Sequence, residues 1–309
     1  MGIGINKIGI YVPKNVKTNE DLSKIVDTTH EWIVSRTGIK TRYIADPDET
    51  TLDMALAASR KALENSDPNS IDLIVCSTVT PDFRFPSIAA LVQKELNIPG
   101  IPAFDIGPAC AGFIYVLTAA EAYIKSGFAR KVLCITAERL SSIIDWTDRN
   151  TCVLFGDAAT AFVVEDRGQH KIIKTVFGGD GTFGDLLYAK ETNGECFIRM
   201  DGTAVFKQAV RIMDEQIRNV CSQAGINLKD IDLLVPHQAN LRIIQAVGER
   251  LGLEKKAFVD VDKYANTSSC TIPLALADAE TQGILKKDML VATVALGGGF
   301  TWGASLIRW

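Results

Sequence analysis

The sequence predicts a layered α/β protein made of two similarly folded halves. Short apolar runs rich in β-branched residues alternate with longer amphipathic stretches, which is the pattern of strands and helices packed in layers. A short motif also recurs at a nearly constant offset, which indicates a duplication. The chain has 309 residues and is 47% hydrophobic, so it has enough apolar material to bury a large core.

The alternation of apolar runs and amphipathic stretches locates the predicted strands and helices. Apolar runs predict strands at 71–75, 132–135, 161–164, 233–235 and 289–294. Amphipathic stretches predict helices at 51–66, 111–125, 203–224 and 241–251.

The repeated motif divides the chain in two. Residues 71–75 (IDLIV) recur as 231–235 (IDLLV), and each copy follows a predicted helix and a polar turn. We therefore predict an N-terminal half, 1–165, and a C-terminal half, 166–309, related by a pseudo-twofold axis. The polar stretch 165–170 between them is expected to be a surface crossover.

A second match supports the duplication and brings two residues together. Cys110 precedes Gly127 by the same number of residues as Asn266 precedes Gly283. The sequence therefore predicts that Cys110 and Asn266 occupy equivalent helix starts and face one shared site near the axis.

Composition excludes several classes of protein. The net charge is −4, so the chain lacks the excess of basic residues that would indicate nucleic acid as the main partner. The seven cysteines are scattered without a C-x-x-C pair, which argues against a disulfide framework or a zinc site and favours reduced thiols. We see neither a signal-peptide pattern at the N-terminus nor an apolar run of the ~18 residues that a membrane span needs. We expect a cytoplasmic protein.

Cys110 is the candidate nucleophile. It follows Gly107 and Pro108, which stop the preceding strand, and it stands where a helix is expected to begin. Unpaired N–H groups and the positive end of the dipole at a helix start favour a thiolate over a thiol. The alternative is that Cys110 is a small buried core residue, which is common for cysteine.

His237 and Asn266 are the candidate polar partners. His237 comes directly after a buried strand and directly before a helix, and sites in α/β folds form at such strand ends. His170, in contrast, lies in the polar crossover and is expected to be exposed. Asn266 sits in a polar cluster and is either a helix cap or a neutral hydrogen-bond donor to a substrate oxygen.

A glycine-rich segment near the C-terminus offers backbone N–H groups. Residues 297–303 (GGGFTWG) follow a buried strand, and consecutive glycines allow close approach of the backbone to a ligand. No Lys-Ser/Thr follows, so the segment is not a phosphate-binding loop. It is either an oxyanion hole or a tight turn.

Together these motifs resemble one enzyme family over essentially the whole chain. The combination is similar to the signatures of β-ketoacyl-acyl-carrier-protein synthase III, and it comprises 31–39 (EWIVSRTGI), 109–113 (ACAGF), 147–149 (TDR), 236–240 (PHQAN), 266–268 (NTS) and 297–303. The resemblance implies a thiolase-like fold of five layers, αβαβα, and a cytoplasmic homodimer. It implies that an acyl-CoA, most simply acetyl-CoA, and malonyl-acyl-carrier protein give a 3-oxoacyl-acyl-carrier protein, CO2 and coenzyme A, without a metal or cofactor.

The resemblance also assigns roles to individual residues. It implies a catalytic triad in which Cys110 carries the acyl group while His237 and Asn266 hydrogen-bond the malonyl thioester oxygen, with the amides of Cys110 and Gly298 as the oxyanion hole. The remaining implied contacts are with coenzyme A (Trp32, Arg36, Thr37, Arg149, Gly202 and Asn240), with the partner's acyl pocket (Phe85) and with the acidic acyl carrier protein (Lys207, Arg242 and Arg250).

Related and unrelated functions remain as alternatives. The runner-up is a priming condensing enzyme of a specialised polyketide or other secondary-metabolite pathway. A non-catalytic carrier-binding scaffold predicts a lost triad, whereas the triad is intact. A cysteine hydrolase would need a base placed to activate water. Departures from the family pattern bear on acyl-chain choice and carrier affinity rather than on the triad, and they lie at 156–160, Glu249, Ala265 and 269–270.

Overall fold

Caps and turns set the limits of the elements, which the computed structural model describes over residues 2–309. The strands are β1 (Ile3–Tyr11), β2 (Asn15–Thr18), β3 (Thr41–Ile44), β4 (Leu73–Ser77), β5 (Ala103–Ile106), β6 (Lys131–Glu138), β7 (Ala158–Asp166), β8 (His170–Gly179), β9 (Leu187–Thr192), β10 (Glu195–Met200), β11 (Leu233–Pro236), β12 (Leu290–Gly297) and β13 (Thr301–Arg308). The helices are α1 (Asn19–Leu22), α2 (His30–Thr37), α3 (Thr51–Ala62), α4 (Ile88–Glu95), α5 (Gly112–Lys125), α6 (Arg149–Cys152), α7 (Gly202–Ala224), α8 (Leu241–Leu251), α9 (Val261–Tyr264) and α10 (Thr271–Thr281). Every strand and helix predicted from the sequence is present, with ends shifted by a few residues at most.

Helix α8 shows how local sequence fixes an element beside the site. The Asn240 side chain accepts a hydrogen bond from the Arg242 N–H at 2.8 Å and so caps the first turn. Gly252 ends the helix at a φ of 69°, a left-handed conformation that glycine adopts at little cost. The predicted span, 241–251, is therefore confirmed.

Strand β1 joins two groups of strands. The hydrogen-bonded order is β11-β12-β13-β8-β1-β7-β6-β4-β5. Strand β1 pairs with β7 along most of its length, from Ile3 to Tyr11, but with β8 only at Gly4 and Ile5. The two groups therefore meet at one corner rather than forming a single flat sheet.

Helices cover both groups and also lie between them. Helices α3 and α4 pack on the sheet of β1, β7, β6, β4 and β5, and α7 packs on β8, β12 and β13 with α8 beside it. Helix α5 contacts β4 and β6 on one side and β12 and β13 on the other, and α10 contacts both β1 and β11. The layers run helix, sheet, helix, sheet, helix, and the predicted five-layered fold is confirmed.

The repeated IDL motif performs the same task in each sheet. The Asp72 carboxylate accepts a hydrogen bond from the Lys131 N–H at 3.0 Å, at the start of β6. The Asp232 carboxylate accepts one from the Leu290 N–H at 2.7 Å, at the start of β12. Each aspartate thus ties its strand to the neighbouring parallel strand. The division of the chain at residue 165 stays a prediction.

The predicted equivalence of Cys110 and Asn266 is wrong. A short 3₁₀ turn leads into α5 and another leads into α10, and their first residues, Ala109 and Ser268, both have positive φ, of 48° and 53°. The counterpart of Cys110 is therefore Ser269. Helix α10, with 11 residues, is shorter than α5, with 14. The same number of residues counted back from the glycine after each helix therefore reaches Cys110 in the first half but passes Ser269 and ends at Asn266 in the second.

The expectation of an exposed His170 is also wrong. His170 is only 3% exposed, and its ring stacks on that of Trp309 with 3.7 Å between centroids. It is the first residue of β8, whose start pairs with β1, so the chain is already inside the fold at this point. Burial lowers the pKa of His170 to about 4.

Candidate active site

The turn after β5 places Cys110 at the centre of the molecule. Gly112, the first residue of α5, lies so close to the start of α10 that a Cβ there would stand 2.1 Å from Ser77 Oγ and 2.6 Å from Ser269 Cβ. A glycine is required for this approach. It brings the turn that carries Cys110 against the turn of the second half.

One cavity of about 700 Å³ contains all three triad candidates. Cys110, His237 and Asn266 line it, although they lie far apart in the sequence. Five of the six predicted coenzyme A contacts and one predicted carrier contact line the same cavity, namely Trp32, Arg36, Thr37, Gly202, Asn240 and Arg242.

Cys110 is a neutral thiol in the free protein. It is 8% exposed, and burial raises the pKa of its thiol to about 12. The Ser268 hydroxyl and the Cys110 N–H act in the opposite direction, whereas the Glu138 carboxylate adds to the rise. The helix start therefore does not outweigh burial, and the expected preference for thiolate is not what the structure shows.

His237 is a neutral imidazole at the end of β11. The backbone N–H of His237 donates to the Val294 carbonyl of β12 at 2.8 Å, which extends the strand pairing by one residue. Burial lowers the pKa of the ring to about 3. The Nδ1 atom lies 2.6 Å from Thr271 Oγ1.

The side chain of Asn266 presents its NH2 group as a free donor. Its Oδ1 accepts the Ser268 N–H at 2.8 Å, and a backbone N–H requires the oxygen of the amide. The backbone N–H of Asn266 donates to Leu154 O at 2.9 Å, and its carbonyl accepts a hydrogen bond from the Gly156 N–H at 3.1 Å. The cap and donor interpretations are thus compatible, with one end of the amide in the turn and the other at the cavity.

The glycine-rich turn lies directly against the nucleophile. A Cβ on Gly297 would stand 2.5 Å from the Pro108 carbonyl and 2.9 Å from the Ala111 N atom, so the two backbones touch. Within residues 2–309, no backbone or side-chain acceptor takes the N–H of Gly298. The N–H of Cys110 likewise has no backbone acceptor there. Both are available to an oxyanion.

A second, more apolar cavity of about 350 Å³ meets Cys110 from another side. Gly298 lines it beside Cys110, and the β9–β10 hairpin forms much of its wall. Cys196, on β10, also lines this cavity, which the sequence did not suggest because nothing around this cysteine forms a motif. The other walls are largely apolar and include Val79, Leu140, Ile143 and Phe155.

Sequence reasoning missed a buried carboxylate beside the triad. Glu138, at the end of β6, is fully buried and accepts hydrogen bonds from the hydroxyls of Ser268 at 3.2 Å and Ser269 at 2.7 Å. The Val79 N–H and the Thr80 hydroxyl donate to its other oxygen. Burial nevertheless raises the pKa of Glu138 to about 7, with the four donors opposing the rise.

The raised pKa of Glu138 should make the stability of the folded protein depend on pH. Since the pKa of Glu138 is raised on folding, its contribution is full below about pH 4.5 and is lost as the pH rises through about 7. Relative to Glu138→Gln, the wild-type free energy of unfolding should therefore fall by about 3 kcal/mol between about pH 4.5 and pH 8. Urea unfolding of both proteins across this range measures the difference. Parallel curves would contradict it.

At the mouth of the large cavity, Trp32 and Arg149 lie against each other. The Arg149 guanidinium is 4.9 Å from the Trp32 ring centroid and donates to the Asp27 carbonyl at 2.8 Å. The hydroxyl of Thr37 already donates a hydrogen bond within α2, to Ile33 O at 2.7 Å. Asn240, which donates to the Arg36 carbonyl at 3.1 Å, ties α8 to α2.

The three predicted carrier contacts differ in their surroundings. Arg242 is exposed at the cavity mouth, with its guanidinium 5.7 Å from the Phe206 ring centroid. Lys207 is exposed on α7, next to Phe206 in sequence. Arg250 lies two turns further along α8, where it pairs with Asp214 at 3.5 Å.

Phe85 does not line either cavity of the single chain. It is 86% exposed. Its neighbour Arg84 forms an ion pair at 2.7 Å with Glu191, which lies on the hairpin that walls the second cavity. Phe85 therefore stands on the outer surface close to that hairpin.

Residues 2–309 contain neither a metal-binding cluster nor a membrane-spanning helix. No group of three or more His, Cys, Asp or Glu side chains there is arranged to hold a metal ion. No helix in the same range has the length and apolar character of a membrane span. All seven cysteines are free thiols.

Comparisons with known proteins point to one enzyme family. The family described as 3-oxoacyl-[acyl-carrier-protein (ACP)] synthase III matches residues 104–181, and its C-terminal region matches residues 221–309. The β-ketoacyl-[acyl-carrier-protein] synthase III of Aquifex aeolicus is 49% identical, with 100% of each chain covered. Its crystal structure superposes with a TM-score of 0.95 over 100% of both chains. The priming β-ketosynthase of the R1128 polyketide pathway is 34% identical with a TM-score of 0.94, covering 99% of this chain and 96% of that one.

Proposed function

The chain belongs to the β-ketoacyl-acyl-carrier-protein synthase III family, and on that premise we propose how its cavity residues carry out the condensation. The family resemblance found in the sequence is thereby confirmed, and the protein is a condensing acyltransferase of fatty-acid biosynthesis. The convergence of Cys110, His237 and Asn266 on one cavity supports the assignment of individual roles. We assign acyl-CoA and malonyl-acyl-carrier protein as the substrates, with no cofactor and no metal.

In the first half-reaction Cys110 accepts the acyl group. The sulfur loses its proton and attacks the carbonyl carbon of the acyl thioester. The tetrahedral oxyanion that forms would accept hydrogen bonds from the free N–H groups of Cys110 and Gly298. The carbon–sulfur bond to coenzyme A then breaks, and coenzyme A leaves as the thiol with the proton that Cys110 lost. The apolar second cavity beside Cys110 suits the acyl chain.

In the second half-reaction the two neutral donors stabilise an enolate. When the malonyl group loses CO2, the electron pair of the broken carbon–carbon bond moves into the thioester, and negative charge grows on its oxygen. Donors from His237 and Asn266 would stabilise that charge without a strong base, because decarboxylation itself supplies the carbanion. The enolate carbon attacks the acyl thioester, the bond to Cys110 breaks, and the thiolate takes up a proton.

The cavity mouth supports the assigned coenzyme A contacts. Trp32, Arg36, Thr37, Gly202 and Asn240 line the route to Cys110. Arg149 stacks on Trp32 in the free protein, so a flat adenine base between them requires the guanidinium to move outward. Since the hydroxyl proton of Thr37 is already used, a contact from Thr37 would come from its methyl group or a lone pair.

Charge at the same mouth supports the acyl carrier protein as partner. Exposed Arg242 lines the opening, and exposed Lys207 follows Phe206, which also lines it, so both offer cations to an acidic carrier. Arg250, although already paired with Asp214, is accessible beyond them.

A homodimer would complete the acyl cavity. Strand β5 is one of the two edge strands of the sheet, the other being β11. Phe85 is 86% exposed near the hairpin wall of the second cavity, where a second copy of the chain would receive it. We assign the homodimer to the cytoplasm, with no membrane or nucleic-acid partner.

The polyketide-priming alternative is less well supported. The R1128 enzyme has the same fold, but its identity is 34% against 49% for the Aquifex aeolicus synthase. Both comparisons cover almost the whole chain, so the difference is not one of coverage.

Condensation assays with a panel of acyl donors test the proposed function. With malonyl-acyl-carrier protein as extender, acetyl-CoA should give a 3-oxobutyryl product, and branched or longer acyl-CoAs should react more slowly. The matched control replaces the carrier protein with malonyl-CoA and should lose most of the rate. Condensation that needs no carrier protein, or no product from any acyl-CoA, would contradict the assignment.

A further inference from the structure

A buried hydroxyl lies behind the imidazole of His237. Thr271, the first residue of α10, is 2% exposed, and its Oγ1 is 2.6 Å from His237 Nδ1. Within residues 2–309, no other side chain or backbone group hydrogen-bonds the ring. A neutral imidazole carries one N–H, and the partner of one nitrogen decides which nitrogen holds the proton.

Two acceptors compete for the single hydroxyl proton of Thr271. One is His237 Nδ1, at 2.6 Å, and the other is the Ser268 carbonyl, at 3.1 Å. The backbone N–H of Thr271 already donates to that carbonyl. The carbonyl is therefore satisfied without the hydroxyl, and the closer Nδ1 receives the proton.

The orientation of this bond determines what the ring offers the cavity. When Thr271 donates to Nδ1, the only proton of the neutral ring lies on Nε2. Nε2 is the nitrogen without a protein partner, and His237 lines the cavity that holds Cys110 and Asn266. An Nε2–H group is a donor like the Asn266 amide beside it, so both residues present hydrogens to one substrate oxygen.

We propose that Thr271 is a positioning residue that holds His237 as the Nε2–H tautomer, the form able to donate to the malonyl thioester oxygen. The proposal rests on the function assigned to His237 above. It has a second consequence. An Nε2–H nitrogen has no lone pair for the Cys110 proton, so His237 does not act as the general base when Cys110 is acylated.

Nitrogen NMR of the substrate-free protein reads the tautomer directly. The chain has three histidines, so ¹⁵N-histidine labelling gives a spectrum that a His237→Ala variant assigns. The wild type should show a protonated Nε2 and an unprotonated Nδ1 at His237. A protonated Nδ1 would overturn the proposal without any assay of activity.

Thr271→Val and Thr271→Ser form a matched pair of variants. Valine keeps the branched shape and removes the hydroxyl, so no donor to Nδ1 holds the proton on Nε2, and the Nδ1–H form should gain population. Decarboxylation of malonyl-acyl-carrier protein should fall about 10- to 100-fold, by analogy with loss of a group that orients a metal-ligating histidine, while acylation of Cys110 stays within about threefold. Serine keeps the hydroxyl and should restore both the tautomer and the rate.

The outcomes separate this inference from the proposed function. If Thr271→Val keeps the Nε2–H form and the full decarboxylation rate, Thr271 has no positioning role. If the valine variant does not fold, the wild-type spectrum and the serine variant still decide. Failure of the wild type to acylate Cys110 would instead count against the proposed function.

Discussion

Cys110→Ala should lose condensation by about 10⁴-fold or more, because the covalent step has no substitute once the nucleophile is removed. Incubation with radiolabelled acetyl-CoA should label the wild type on a single cysteine and leave the variant unlabelled. Decarboxylation of malonyl-acyl-carrier protein should continue in Cys110→Ala, since the two donors remain in place. The variant therefore separates the half-reactions.

Two controls make this labelling result specific. Cys221→Ala removes a buried thiol on α7 that lines neither cavity, and it should label like the wild type. Peptide mapping distinguishes Cys110 from Cys196, which lines the same apolar cavity. Label that survives in Cys110→Ala, or that maps to Cys196, would refute the assigned nucleophile.

His237→Ala and Asn266→Ala should show the reverse pattern. Each removes one donor from the developing enolate oxygen, so decarboxylation should fall about 10²- to 10³-fold. Acylation of Cys110 should persist, because the oxyanion in that step is held by backbone N–H groups. Release of labelled CO2 from malonyl-acyl-carrier protein measures the first rate, and labelling by acetyl-CoA measures the second.

Retained acylation is the internal control for these two variants, since a misfolded protein would lose both activities. Asn266→Asp adds a sharper comparison. It keeps the size of the side chain but replaces the NH2 donor with an oxygen, so it should decarboxylate no better than Asn266→Ala. Normal decarboxylation in the alanine variants would eliminate the enolate role.

Cys110 and His237 were recognisable in the sequence because one follows a breaking turn and the other an apolar run, whereas their convergence with Asn266 was implied by the family resemblance. His237 comes after β11, and the Cys110 and Asn266 segments precede α5 and α10. Strand order alone does not bring them close, because β5 and β11 are the two outer strands of the hydrogen-bonded order. The two-half organisation then accounts for contact between segments more than a hundred residues apart.

Burial, in contrast, depends on distant segments and was not predictable. The pKa of Cys110 is raised because several elements enclose its sulfur, and no local pattern encodes that enclosure. Glu138 appears in the sequence as the polar end of an apolar strand, whereas its donors come from residues near 79 and 268. The contact between Thr271 and His237 likewise joins two segments that only the fold brings together.

The most direct test of the account follows one acetyl group through the enzyme by intact-protein mass spectrometry. Wild type, His237→Ala and Asn266→Ala are first acetylated with acetyl-CoA, freed of excess donor and then mixed with malonyl-acyl-carrier protein. All three should gain the mass of one acetyl group, and only the wild type should lose it rapidly to a 3-oxobutyryl carrier. Rapid discharge from either variant, or failure of the wild type to gain the acetyl mass, would contradict the account.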